Sequence, residues 1–582
     1  MMLLRLLDRL GNWNPQLFRE LKGRLTPRNL AIAGSASVGG QLTLMGSLFQ
    51  HWYTKQQAVY GPYCALAETY NNYHNRLRNF ESEPHIGLSG EVVGSIEQES
   101  EHIRLKLAQM PEACPTDAID YSAWWMDFGQ ACFGWLTLAA LFLFLGGLIY
   151  LLIRDVSKEK HQGTLKFIQL SPQSTHTFLL GKLLGVPILV YGAIALTLPL
   201  HFGLSQTIHV PWWQIIGFYV AILASACCFG LVAILLGLFG AQAIIGTAGL
   251  MFGIFLLCVA SNMHDPTSLT TYLSLFAPTL LFPRAIDLGN NDGLPYWLSS
   301  TPPFNFTTLP SLLLVLFNCG LVIYWLSQPL QRRFRTPQSP LWSKGQSYGI
   351  TFSLSLLFIG GDILLWGEKS RNYSDGEQWL QIILFQLMLM AIWVVVLCPN
   401  RATLIEWARY RYEQASRSRL GWAMLWQDAS PATLAIVCHT VLAFIPFAVW
   451  VGVTGSMSMT DRGLLISGLA FVIVQLWLYG AIAQLIHFLS RQHTVQKVLL
   501  TLAFLTLGVP FALFSAGVLP ATNPTPWLLT SFFWLGLEQY PTLVQIGIGW
   551  VGNLGLVLLC NAVLAHRLRL AGRSDFKLLT DG

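Results

Sequence analysis

The sequence predicts an all-α, polytopic membrane protein, and three observations carry that prediction. Of the 582 residues, 53% are hydrophobic and only 11% charged, where an average soluble domain carries about 25% charge. Apolar runs recur about twelve times, each near the roughly 20 residues that a helix needs to cross about 30 Å of hydrocarbon. Lys and Arg fall in alternate loops between those runs, the asymmetry that sets orientation. With the N terminus inside, the inner segments hold about 26 of the 35 Lys and Arg and about 9 of the 29 acids. The pattern requires an even number of spans, with both termini cytoplasmic.

The first 28 residues are basic and amphipathic. In MMLLRLLDRL, Leu and Met lie on one side and Arg5, Asp8 and Arg9 on the other. With Pro15 to Arg28, segment 1–28 reads as an interfacial elbow helix on the inner leaflet; a disordered basic tail is the alternative. It lacks the short apolar core and small-residue cleavage site of a secretory signal. Spans 29–49, 131–153, 178–200, 212–237, 241–260 and 309–326 make a first six-helix half, 29–326. Its outer loop, 50–127, carries Glu81, Glu83, Glu91, Glu97, Glu99 and Glu101 and a predicted helix from Val92 to Gln109. That loop lies on the oxidising side, so Cys64 and Cys114 are a candidate disulfide, free thiols being equally compatible with the sequence. Cys227, Cys228 and Cys258 fall within spans and read as small packing residues. Trp124, Trp125, Trp212, Trp213 and Trp527 sit where indole rings anchor at the headgroup level.

A Pro-, Ser- and Arg-rich linker, 327–348, leads to a second half, 349–565, and a cytoplasmic tail, 566–582. The second half has spans 349–365, 380–397, 432–452, 463–486, 498–515 and 542–565. In both halves the loop after the second span is charged and helix-prone, and ends in Ser-Pro just before the next span. The first such loop, 154–177, closes with Leu170-Ser171-Pro172-Gln173-Ser174. The second, 398–431, carries Glu406, Arg409, Arg411, Glu413, Arg417 and Arg419 and closes with Ala429-Ser430-Pro431-Ala432-Thr433. Ser caps helices and Pro fits a first helical turn, so Ser-Pro suits a helix start. Six spans, a linker and six spans, with that recurrence, suggest an internal duplication.

Segment Arg154 to Lys182 reads RDVSKEKHQGTLKFIQLSPQSTHTFLLGK. Lys158-Glu159-Lys160 leads into Gly163-Thr164-Leu165, then Leu170-Ser171-Pro172, then Gly181-Lys182. Lying between two spans, this run resembles the coupling loop of permease subunits of the ABC-2 class of ATP-driven exporters. The resemblance covers the first half, with 12–28 as the elbow. It implies that a cytoplasmic coupling helix docks on a separate ATPase and that Glu159, Gly163, Thr164, Leu165, Ser171, Pro172 and Lys182 serve that coupling. In the second half Glu413, Ser430 and Pro431 are the counterparts, but Gly-Thr-Leu and Gly-Lys are missing there. An amphipathic coupling helix is expected to turn Leu165, Phe167, Ile168 and Leu170 to the bundle and polar residues to the partner. Local readings also stand: Gly163 as a helix end, Glu159 paired with neighbouring lysines, and Lys182 snorkelling from a span end.

No G-x-x-x-x-G-K-[ST] phosphate loop occurs, so ATP is expected to act through a partner ATPase, in two copies if both halves couple. H-E-x-x-H and paired C-x-x-C are also missing, which speaks against a metal-dependent membrane protease. The basic loops face an anionic leaflet and are no nucleic-acid signal. Ionisable residues within spans are few. Asp362 reads as interfacial and His439 as packed or hydrogen-bonded. Gln242, Asn318, Gln386, Gln475, Asn553 and Asn561 either join helices or line a path. The expectation is a non-enzymatic permease subunit of an ABC exporter in the bacterial inner membrane. An ATP-independent secondary transporter and a membrane scaffold are the alternatives.

Overall fold

The computed structural model describes residues 11–82, 90–240, 244–260, 309–336, 340–366, 389–394, 396–413, 420–453, 459–490 and 494–572, together with Phe276. Among them the chain is helical throughout, apart from turns and two isolated β-bridges. Among the described residues, seven helical stretches are long and apolar enough to cross a membrane: Tyr121–His161, Ile188–Thr207, Trp212–Phe239, Leu312–Arg335, Ile466–Leu489, Gln496–Ser515 and Leu543–Gly572. Ile244–Ile254 and Thr433–Pro446 are shorter apolar helices. The chain is a multi-pass, all-helical membrane protein. Expected span 29–49 lies in a helix of 31 residues, Pro27–Gln57, which repeated Gly, Ser and Gln leave less apolar than the seven. Most of the expected span 380–397 lies outside the described residues, as do Arg5, Asp8, Arg9, Glu83, Gln242, Gln386, Arg417, Arg419 and the end of the tail. Asp362 and Glu413 stand in helices, with side chains outside the description, as are those of Glu91 and Cys258.

The chain divides into two compact units, residues 1–265 with 274–320 and residues 266–273 with 321–582. The first unit begins with α1 (Pro15–Arg24) and α2 (Pro27–Gln57). Asn14 starts α1, its side chain accepting from the Leu17 amide, with Pro15 in the first turn. Helices α3 (Ala67–Ser82) and α4 (Gly90–Ala108) follow; α4 occupies nearly the region expected for Val92 to Gln109. A disulfide joins Cys64 and Cys114, with Cα atoms 5.9 Å apart. Beneath it Trp52, Tyr63, Trp124 and Phe128 form one buried cluster. Trp124 is therefore no headgroup anchor: it is buried and donates its indole N–H to the Trp52 carbonyl. Trp527 in the second unit is likewise buried and donates to the Val518 carbonyl. Trp125, Trp212 and Trp213 are exposed.

Helix α5 (Tyr121–His161) runs 41 residues without a break. Asp120 caps its start, and nothing in RDVSKEKH stops it until Gly163, whose positive φ of 75° ends the turn as glycine readily does. Then come α6 (Thr164–Leu170), α7 (Thr175–Gly185), α8 (Ile188–Ala195), α9 (Leu198–Thr207), α10 (Trp212–Phe239) and α11 (Ile244–Ala260). The expected single span 178–200 is thus three helices. Pro187 and Pro199 lack the amide proton that would continue the ladder, and the breaks fall beside them. Helix α12 (Leu309–Arg335) passes through the boundary of the two units.

Residues 327–335, expected as linker, continue α12; Arg332, Arg333 and Arg335 complement its C-terminal dipole. The second unit goes on with α13 (Lys344–Trp366), α14 (Arg401–Glu413), α15 (Leu420–Trp426), α16 (Thr433–Val453), α17 (Met459–Leu489), α18 (Thr494–Ala503), α19 (Val509–Ser515), two short helices α20 (Pro524–Leu528) and α21 (Phe533–Leu537), and α22 (Leu543–Gly572). Leu404 and Ala408 of α14 pack on Leu564 and Leu568 of α22. His439 is fully buried, hydrogen-bonded to Ser347 at 3.0 Å and Thr351 at 2.6 Å and stacked on Trp393. Asn553 donates to the Leu528 and Gly549 carbonyls, Asn561 to that of Val557, and Gln475 to the Tyr479 hydroxyl.

Candidate functional site

At the His161 end of α5, three helices bring six charged side chains together. Helix α1 supplies Arg19, Glu20 and Arg24, α5 supplies Asp155 and Glu159, and α7 supplies Lys182. Glu20 and Arg24, like Asp155 and Glu159, stand four residues apart and so share one helix face. Lys182 is the centre. Its Nζ lies 2.7 Å from Glu20 Oε1, 2.6 Å from Asp155 Oδ2 and 2.9 Å from Glu159 Oε1, and its side chain is 0% exposed. Arg24 bridges Glu20 at 3.1 Å and Asp155 at 2.6 Å. Arg19 bridges Glu20 at 3.2 Å and also pairs with Glu159. Three cations meet three carboxylates, so the cluster is neutral, and each buried charge has a partner, as burial demands. Burial raises the Glu20 carboxyl, but Lys182 and Arg24 outweigh it and hold it below the ordinary carboxylate value. The three carboxylates lie within 4.8 Å of one another, a spacing suited to a metal ion. The Lys182 ammonium occupies the space between them, so the group is an ion-paired joint.

Glycine lets the joint close. Gly181 and Gly185 lie on the α7 face that meets α1. A Cβ on Gly181 would stand 2.6 Å from Gln16 Cγ and 2.9 Å from the Leu17 amide nitrogen; one on Gly185 would stand 2.6 Å from Glu20 Cβ. Asn14 adds a hydrogen bond to the Thr177 carbonyl at 3.0 Å. Helices α1, α5 and α7 are thereby one body at this end.

From that body hangs α6, a helix of seven residues. Leu165 and Ile168 are buried, whereas Phe167 is 77% and Leu170 84% exposed. The expectation that all four face the bundle is therefore corrected. Leu165 and Ile168 stand three residues apart on one face, and Phe167 and Leu170, also three apart, share another that turns away. Thr164 Oγ1 donates to the Glu159 carbonyl, and Gly163 supplies the left-handed turn between the helices. Two further expectations change. Glu159 pairs with Arg19 and Lys182, on two other helices. Lys182 does not snorkel, because carboxylates reach it where it is buried. Ser171 closes α6 by donating to the Ile168 carbonyl, Pro172 is exposed in the turn, and the cap of α7 is Ser174.

The second unit also carries a short helix before a Ser-Pro step, held by different bonds. Helix α15 also has seven residues and also precedes Ser-Pro. Leu420, Trp422 and Trp426 on it are exposed. Ser430 and Pro431 are buried around a second buried lysine, Lys344. Its Nζ donates to the carbonyls of Met424 at 2.8 Å, Ser430 at 3.1 Å and Pro431 at 3.1 Å, and to Ser430 Oγ at 2.7 Å. Asp428 accepts from the Lys344 amide at 3.0 Å and from Arg332 at 3.3 Å. Beside it lies an open cleft of about 510 Å³ lined by Glu406, Trp407, Tyr410 and Trp426. Sequence reasoning missed Glu20, Asp155, Arg19, Arg24 and Lys344. The four-residue spacings on α1 and α5 were the available signal for the first cluster.

No protein-family model, curated protein or solved structure matches this chain.

Proposed function

We propose that the chain is the transmembrane permease subunit of an ATP-binding-cassette exporter, moving a substrate with energy from a separate ATPase. One observation carries the reading. A seven-residue helix, α6, exposes Phe167 and Leu170 at the end of α5, beside a neutral ion cluster centred on the buried Lys182. Exposed aromatic and aliphatic anchors are what a soluble partner buries at the centre of an interface. A push on α6 passes through Gly163 and Thr164 into α5, and through Ser171 and Pro172 into α7. The Lys182 joint makes α1, α5 and α7 move together, because separating them leaves charges unpaired. Helix α15 gives the second unit an equivalent anchor, so two ATPase copies would serve one chain. ATP acts through that partner; this chain supplies the lever and the spans.

The test is a pull-down of the tagged protein from mild detergent, comparing wild type with Phe167→Ala/Leu170→Ala. Both side chains are exposed, so the variant keeps the fold. Loss of a co-purifying ATPase in the variant supports the reading; an ATPase retained in full, or present in neither, counts against it.

A further inference from the structure

Far from the ion cluster along α5, the first unit holds a cavity of about 250 Å³ among α5, α8, α9 and α10. It exceeds the roughly 150 Å³ that suffices to hold benzene in an apolar protein interior. Its wall is largely apolar, with Leu141, Phe144, Ile194 and Ile222 among the lining residues. Leu198 and Leu223 line it and are also exposed at the surface of these apolar helices, so it opens there. The break between α8 and α9 forms one side.

The polar atoms on this wall have a definite sense. Thr137 Oγ1 donates to the Phe133 carbonyl at 2.6 Å, so at its 2.7 Å contact with His201 it accepts. His201 therefore carries its proton on Nε2, and Nδ1 accepts from the Tyr219 hydroxyl at 2.8 Å. Tyr191 donates to the Leu183 carbonyl at 2.8 Å and Thr197 to that of Ile194 at 2.7 Å. Every hydroxyl and imidazole proton on the wall is committed. What the wall offers is oxygen lone pairs, chiefly that of half-buried Tyr219. Among the described residues no acid lines the cavity, so a charged amine would lose hydration without compensation.

We infer that this cavity binds an uncharged hydrophobic alcohol, its chain or ring among the aliphatic and aromatic residues and its hydroxyl donating to Tyr219. An ether or ester of the same shape can only accept, and meets no free donor. The site is independent of the coupling reading, since neither α6 nor the ion cluster takes part.

The test uses the full chain in lipid nanodiscs and two photoreactive probes, a diazirine-tagged long-chain primary alcohol and its methyl ether, with crosslinks mapped by mass spectrometry. The alcohol should label peptides from α5, α8 or α9 about 2- to 10-fold more than the ether, the worth of one net hydrogen bond. Tyr219→Phe combined with His201→Phe, which also removes the Nδ1 acceptor that the lost hydroxyl would free, should bring the alcohol down to the ether's level. Should that variant fail to fold, Leu223→Trp, at the exposed mouth, should abolish labelling by both probes. Equal labelling of the wild type by the two probes, a preference that survives the double substitution, or labelling that survives Leu223→Trp overturns the inference.

Discussion

Replacing Lys182 with Met removes the one cation that touches all three carboxylates of the joint. Met keeps much of the side-chain volume, so the change is chiefly electrostatic. The three carboxylates now at 2.6–2.9 Å from Nζ are left with two cations, and the cluster carries one uncompensated negative charge. Removing one partner of a buried ion pair costs about 3–5 kcal/mol. Arg24 still holds Asp155 and Glu20 while Arg19 still holds Glu159, which argues for the lower end, about 3 kcal/mol. The loss falls on the docking of α1 against α5 and α7. A cysteine at Leu17, buried on α1 beside Gly185, reports it. Its maleimide labelling in mild detergent, read by mass spectrometry, should accelerate on the order of 100-fold, since each 1.36 kcal/mol is tenfold. Glu159→Gln in the same chain restores neutrality and should recover part of the protection. Acceleration below twofold, or no recovery in the double variant, refutes the reasoning.

Gly181→Val drives a side chain into Gln16 and the Leu17 amide, and overpacking of about 1–3 kcal/mol should raise labelling of the Leu17 reporter by about 5- to 150-fold. Glu20 has a folded-state value below the ordinary 4.5. Its contribution is therefore full above that pH and is lost as pH falls through the folded value. The difference in thermal midpoint between wild type and Glu20→Gln should narrow from pH 6 toward pH 3; a constant gap would contradict this. Reducing the Cys64–Cys114 disulfide frees a loop of 50 residues, worth about 4 kcal/mol by chain entropy, and should raise hydrogen exchange in α3 and α4 while leaving α5 protected.

The spans that were legible in the sequence are those whose physics is local. Hydrocarbon demands a long apolar run, and Trp212–Phe239 or Leu543–Gly572 can supply little else. The broken span was less legible, because Pro187 and Pro199 are common enough in membrane helices to pass unnoticed. Segment 154–182 was found by its pattern, yet its geometry was not. In a helix as short as α6, periodicity cannot say which apolar residues face inward. The ion cluster was hidden for a different reason: Lys182 meets a partner 162 residues away in Glu20, and nothing in a single sequence marks that pairing. Trp124 and Trp527 misled because an indole at the end of a span reads the same whether it meets headgroups or a buried carbonyl.

The central claim, that this chain takes its energy from an ATPase docked on α6 and α15, is tested most directly by native mass spectrometry of the protein purified in mild detergent. A complex with two ATPase copies for each copy of this chain is expected. A well-folded chain that carries no ATPase would contradict it.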